Sequence, residues 1–256
     1  MSDLEIHQFP CLSDNYGVLI HDPLSGQTAA IDAGDADALL AQLALKGWTL
    51  SDLWITHHHW DHTQGLADVK KQTGCTVTGP RDQSTPIADL DNLVADGDVF
   101  EFAGHAVNVL HTPGHTTDMI NFHLPSQKVI FTGDTLFALG CGRIFEGTAP
   151  MMWDSLSRFF ELPGDTQIYC GHEYTEANAR FALSVDPENE ALISRAKHIS
   201  ALRAQGNPTV PSLLSEEFET NPFLRAGDPA IRRHLGLEGA PEVDVFTEIR
   251  RRKDNF

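Results

Sequence analysis

Seven consecutive residues, Thr56-His57-His58-His59-Trp60-Asp61-His62, constrain this chain more than any other feature. Four candidate metal ligands, His57, His59, Asp61 and His62, crowd a stretch too short to form a core element. Imidazole nitrogen and carboxylate oxygen are the donors that zinc, iron or manganese accept. The cluster directly follows Leu53-Trp54-Ile55, an apolar run that reads as a short buried strand. Reactive groups commonly stand on loops at the ends of rigid strands. A triple histidine in mid-chain does not read as a purification tag.

Three later segments share this character: His111-Thr112-Pro113-Gly114-His115-Thr116, Thr132-Gly133-Asp134-Thr135 and Cys170-Gly171-His172-Glu173. In each, an apolar run ends at a glycine beside a histidine or aspartate, which exposes the ligand at a tight turn. One such turn says little, but three of them together with the cluster point to a metal site. His58 and His111 stand beside candidate ligands and read as supporting or solvated groups. Asp32, just after Ala29-Ala30-Ile31, reads either as an acceptor that orients a ligand or as a capping group.

The apolar runs at 18–20, 28–31, 53–55, 76–78, 99–102, 107–110, 119–122, 128–131 and 167–169 predict strands. Helices are predicted over 35–46, where Gly47 is a stop, and over 153–161. Many strands with few helices between them suggest two sheets covered by outer helices, an α+β arrangement. Beyond Gly171 the pattern changes. Helices are predicted over 173–185 and 188–205, the second starting after Asp186-Pro187. A proline-rich stretch over 207–222 and short helices from Asp228 and Pro241 follow, with no strand signal. The expected division is a catalytic domain over 1–171 and a smaller helical, substrate-binding domain over 172–256.

The chain has 256 residues and a formal charge of −18. That balance argues against a nucleic-acid partner, which needs a basic surface. No apolar run approaches the roughly 18 residues needed to span a bilayer, so no membrane partner is expected. The N-terminus lacks the basic and apolar regions of a secretory signal. Cys11, Cys75, Cys141 and Cys170 form no C-x-x-C pair and no disulfide framework, and read as free thiols of a reducing compartment. A cytoplasmic monomer is the expectation.

The pattern Thr-His-x-His-x-Asp-His over 56–62, followed by Gly-His115, Gly-Asp134 and Gly-His172, resembles the metallo-β-lactamase superfamily. The resemblance implies a four-layer αβ/βα sandwich with metals between the sheet edges. It also implies a ligand set: His57, His59 and His115 on one metal; Asp61, His62 and His172 on a second; and Asp134 bridging both. Two dications held close together need such an anionic bridge, and a pair about 3.5–4 Å apart brings the pKa of a shared water toward neutral. A structural zinc site would instead be closed by four ligands, often cysteines.

Finer segments resemble the glyoxalase II, or hydroxyacylglutathione hydrolase, branch. They are the cluster itself, the run Thr132 to Phe137 through Gly140-Cys141-Gly142-Arg143, and Tyr169-Cys170-Gly171-His172-Glu173-Tyr174-Thr175. Thr220-Asn221-Pro222-Phe223-Leu224-Arg225 and Arg250-Arg251-Arg252-Lys253-Asp254 complete the set. The resemblance implies that Arg143, Tyr174, Arg250 and Lys253 bind glutathione, whose two carboxylates suit a cationic pocket. Phe145 departs from that branch's more common tyrosine, and Arg143 from its more common lysine.

The implied reaction is hydrolysis of S-D-lactoylglutathione to glutathione and D-lactate, the hydrolytic step of methylglyoxal detoxification. Its nucleophile is a metal-bridging hydroxide held by Asp134 and Asp61. The implied cofactors are two divalent metal ions, zinc first, with iron or manganese acceptable to the same donors. A one-iron glutathione persulfide dioxygenase is the alternative, followed by another hydrolase or a nuclease of the same fold and then a non-catalytic metal-binding module.

Overall fold

The computed structural model describes residues 3–83 and 85–256; Met1 and Ser2, part of the N-terminal stretch read for a leader, lie outside the described residues. The chain divides into two compact units, one running up to His111 together with Thr116–Gly133, the other comprising Thr112–His115 and Asp134–Phe256.

The first unit begins with a hairpin of β1 (Glu5–Cys11) and β2 (Asn15–His21), paired antiparallel from Glu5↔His21 to Cys11↔Asn15. β3 (Thr28–Ile31) lies antiparallel to β2, and β4 (Asp52–Trp54) lies parallel to β3. The crossover between them is α1 (Ala36–Lys46). Asp35 caps its start, with Oδ1 accepting from Ala38 N at 3.0 Å, and Gly47 ends it in the left-handed region at φ 69°.

After β4 come a single turn, α2 (Trp60–Thr63), then α3 (Leu66–Thr73) and the parallel strands β5 (Thr76–Pro80) and β6 (Asn92–Val94). Leu39, Leu43, Leu66 and Val69 on the helices pack against Leu53, Ile55 and Val77 of the sheet. These are the apolar positions that helical and strand spacing place on facing surfaces.

β7 (Val99–Phe102), β8 (His105–His111), β9 (Ile120–Leu124) and β10 (Val129–Gly133) form an antiparallel meander in the same unit. Trp54 joins the two sheets. Its fully buried ring meets Phe100 and Phe102 edge-on at 5.2 and 5.4 Å and Phe122 at 5.5 Å. Such pairs add to the burial of their area. The layer order in this unit is thus helix, sheet, sheet. Parallel strands β3 and β4 deliver Asp32 and the 56–62 cluster to their carboxyl ends, where open sheets place their ligand sites.

The second unit holds the two-residue strands β11 (Leu136–Phe137) and β12 (Gly140–Cys141), then α4 (Ala149–Ser157), β13 (Gln167–Cys170), α5 (Thr175–Val185) and α6 (Glu190–Ala204). β14 (Ser212–Leu213), α7 (Leu214–Thr220), α8 (Pro229–Leu235) and α9 (Glu242–Asp254) complete it. α5 and α6 close over Leu139, Ala179, Ala182, Leu192 and Ile199. Trp153 of α4 meets Phe246 of α9 at 5.8 Å.

Several expectations need correcting here. A strand does occur beyond Gly171: β14 pairs antiparallel with β13, and two residues are too few to leave a periodic signal. The proline-rich stretch contains α7, whose first turn carries Glu216 and Glu217. Asp186-Pro187 does not start α6. Asp186 instead closes α5 and pairs with Arg225, while Asn189 Oδ1 caps α6 by accepting from Leu192 N at 3.1 Å. The helix expected over 153–161 starts earlier, at Ala149, capped by Thr148, and its last turn tightens to a 3₁₀ form over Arg158–Glu161.

Candidate metal centre

In the first unit the cluster is held by one buried carboxylate. Asp32 follows β3 with φ 58°, a left-handed conformation that aspartate tolerates better than most side chains. It accepts from Thr56 N on Oδ1 (2.8 Å) and from both Thr56 Oγ1 and His62 Nδ1 on Oδ2 (2.8 Å each). These bonds settle two imidazole tautomers. The Thr56 hydroxyl proton goes to Asp32, so His57 Nδ1, 3.0 Å from Thr56 Oγ1, must be the donor there. His62 Nδ1 likewise carries its proton toward Asp32. With Nδ1 as the donor, each ring presents Nε2, the nitrogen that a neutral imidazole in this tautomer offers to a metal. Of the two readings of Asp32 made from sequence, the orienting acceptor is the one its contacts support.

His57 and His62 are buried, with ring centroids 4.2 Å apart, and His59 lies 4.7 Å from His57. Asp61 is partly exposed. Its Oδ2 accepts from Asn15 Nδ2 at 3.0 Å and stands 3.5 Å from His62 Nε2. Two glycines allow the close approach: a Cβ at Gly34 would lie 1.9 Å from Asp61 O, and one at Gly133, φ 47°, would lie 2.8 Å from Thr56 Oγ1. His58 turns away to bond the fully buried Asp118 at 3.0 Å, and His111 Nε2 bonds Thr117 O at 2.8 Å.

In the second unit His115, Asp134 and His172, all buried, come together. Asp134 Oδ2 lies 3.3 Å from Nε2 of each ring. His115 Nδ1 donates to Arg143 O at 2.8 Å, which directs Nε2 toward Asp134. The His172 ring stacks on Tyr174 at 4.7 Å, nearly parallel. Each unit thus brings an imidazole Nε2 to a carboxylate oxygen: His62 to Asp61, and His115 to Asp134. The donor set fits a divalent metal, and the fold with its histidine and aspartate sets supports divalent-metal binding.

The residues expected to grip glutathione lie in the second unit. The Arg143 side chain is exposed, with Nε 3.4 Å from Asp254 Oδ1. Lys253 donates to Ala177 O at 3.3 Å; burial, then the charges of Arg250 and Arg180, lower its pKa to about 8. Arg250 is buried. Its Nη1 donates to Cys141 O at 3.0 Å, its Nε and Nη2 to Asp254 Oδ1 at 3.1 and 2.8 Å, and its guanidinium lies over the Phe223 ring. Arg143 and Arg250 thus share one carboxylate, Asp254, in an otherwise acidic protein. Exposed Phe145 lies 5.3 Å from the His115 ring and offers no hydroxyl. Sequence reasoning missed Asn15, which follows no recognisable signal; only folding brings β2 beside the cluster.

The sequence profile of the metallo-beta-lactamase superfamily matches residues 13–172, and that of the hydroxyacylglutathione hydrolase C-terminus matches 173–256. A protein of Rhizobium meliloti (strain 1021) named hydroxyacylglutathione hydrolase is 54% identical over 256 residues, all of both chains. One of Maricaulis maris (strain MCS10) with the same name is 53% identical, again over 100% of each. Among solved structures, ETHE1 from Myxococcus xanthus superposes with a TM-score of 0.67 at 27% identity, over 96% of each chain. The BLEG-1 B3 metallo-beta-lactamase gives 0.65 at 20% identity, over 86% of this chain and 99% of its own, a likeness of fold alone.

Proposed function

This chain belongs to the hydroxyacylglutathione hydrolase family, with the α+β fold of the metallo-β-lactamase superfamily and that family's C-terminal helical domain, and from this premise we propose that it hydrolyses S-2-hydroxyacylglutathione, S-D-lactoylglutathione first, to glutathione and a 2-hydroxy acid. The observation that carries the reading is full-length identity above one half to proteins of that name. The one-iron dioxygenase alternative has no comparable full-length relative among those described.

The proposed centre takes the ligand set that the family resemblance implies. His57, His59 and His115 would hold one cation, Asp61, His62 and His172 a second, and Asp134 both. Zinc is the proposed metal. Cations so held supply Lewis acidity to the thioester carbonyl and lower the pKa of water. The protein's own groups do the rest. Asp32, through Thr56 and His62, keeps the imidazole lone pairs directed; Asp61 and Asp134 offset the cationic charge and orient the attacking water. Arg143 and Lys253 bind the glutathione carboxylates, and Tyr174 lines the same pocket from its place on the His172 ring. Arg250 acts there by holding Cys141 and Asp254. The thiol has a pKa near about 8.5 and leaves as thiolate without a general acid.

By function we propose a catalytic domain over 1–171 and a helical substrate-binding domain over 172–256, although 112–115 and 134–171 cluster with the helices by packing. A cytoplasmic monomer serving methylglyoxal detoxification is the setting proposed. No helix among the described residues is long and apolar enough to cross a membrane. The test is thioester cleavage measured across glutathione and non-glutathione thioesters. Strong preference for S-D-lactoylglutathione is expected; equal turnover of simple thioesters would remove glutathione from the assignment.

A further inference from the structure

The motif Thr220-Asn221-Pro222-Phe223-Leu224-Arg225 has no role in the chemistry above. Its asparagine closes α7 and reaches the turn that joins β11 to β12. Asn221 Oδ1 accepts from Phe223 N at 3.0 Å, which fixes the orientation of the amide. The two Nδ2 protons then serve Phe137 O at 3.2 Å, Gly140 O at 3.0 Å and Glu217 Oε2 at 3.0 Å between them.

The other groups of the turn are held the same way. Asn178 Nδ2 donates to Ala138 O at 3.1 Å, and Leu139 N donates to Glu217 Oε2 at 2.8 Å. Leu139 is fully buried at φ 57°, where a leucine persists only if its surroundings impose the conformation. Glu217 is itself fully buried and paired with Arg195. A buried ion pair is weak evidence of stabilisation but can specify one geometry among several.

The strand leaving this turn is short and stiff. Cys141 O is fixed by Arg250. A Cβ on Gly142 would meet Asp134 O at 2.0 Å, so only glycine fits where the strand passes that carbonyl. Arg143 comes next, its carbonyl taken by His115 Nδ1 and its side chain exposed for substrate. Where the 137–140 turn sits therefore decides where the Arg143 guanidinium stands.

We propose that Glu217 and Asn221 are positioning residues for glutathione recognition: they hold the Phe137–Gly140 turn in its strained form and so set the place of Arg143. The inference rests on the reading of Arg143 as a glutathione contact. Bidentate recognition of a carboxylate tolerates little displacement, so the defect should fall on substrate binding rather than on the bond-breaking step.

The test compares the wild type with Asn221→Ala and Asn221→Ser, the latter keeping one donor. Substrates are S-D-lactoylglutathione and the lactoyl thioester of N-acetylcysteamine, which has no carboxylates. For Asn221→Ala the glutathione thioester should show a KM raised about tenfold with kcat within about threefold, while kcat/KM on the carboxylate-free thioester moves less than about twofold. Asn221→Ser should show the same split at about threefold, and it carries the test if the alanine variant does not fold. Equal losses on both thioesters, or an unmoved KM in a folded variant, overturn the positioning role while the hydrolase reading stands. A wild type with no preference for the glutathione thioester overturns that reading and this inference with it.

Discussion

The two halves of the ligand set are built by different means. In the first unit, side chains hold side chains: Asp32 alone accepts three hydrogen bonds and directs His57 and His62. In the second, the backbone does the holding. Arg143 O fixes the His115 ring, and glycines 114 and 142 pass where no Cβ fits, against Met152 at 2.8 Å and Asp134 O at 2.0 Å. A side-chain scaffold is sensitive to charge, and a backbone scaffold to volume. Substitutions that change one without the other should separate them.

The largest effect is expected at Asp134. Asp134→Ala removes the carboxylate that faces both His115 and His172, and should lower kcat by about a thousandfold or more, with metal lost on elemental analysis. Asp32→Asn keeps shape and suits the left-handed backbone, so it isolates charge. Metal affinity should fall about 10- to 100-fold in a metal titration, with melting little changed. Gly142→Ala changes volume and no charge. It should cost about 1–3 kcal/mol in denaturant unfolding, because the obstructing atom is backbone. If Asp32→Asn proves as neutral as a surface change, the contrast between the halves is wrong.

The smallest effect concerns pH. The Lys253 pKa is lowered to about 8, chiefly by burial, against 10.5 for the ordinary side chain. Between about 8 and 10.5 the unfolded chain binds the extra proton, so this group makes stability rise with pH there, while below about 8 its cost to stability is full and does not change with pH. Binding runs the other way. As pH passes 8 the charge proposed to grip a carboxylate is lost, and KM for the glutathione thioester should rise. Lys253→Arg, which stays protonated, should flatten that profile.

The cluster after β4 and the three glycine turns were legible because each ligand follows an apolar run directly, so local pattern and site coincide. The strands with apolar or β-branched runs were legible for the same reason. β1 and β6 were not, nor were β11, β12 and β14, where two residues cannot show a period. The hold on the 137–140 turn was not legible either: Asn221 lies 81 residues from the Gly140 carbonyl it binds, and no local pattern records such a contact. The surroundings of Arg250 were not legible either: it is buried and bonded to Cys141, 109 residues away, and to Asp254.

The central claim is the proposal that a pair of bound cations activates water beside a thioester. Elemental analysis of the protein as purified, paired with turnover of S-D-lactoylglutathione before and after chelation, tests it most directly. Two divalent ions per chain, with hydrolysis lost on chelation and restored by metal, is the predicted result. One iron per chain with oxygen uptake, or hydrolysis that survives complete metal removal, contradicts it.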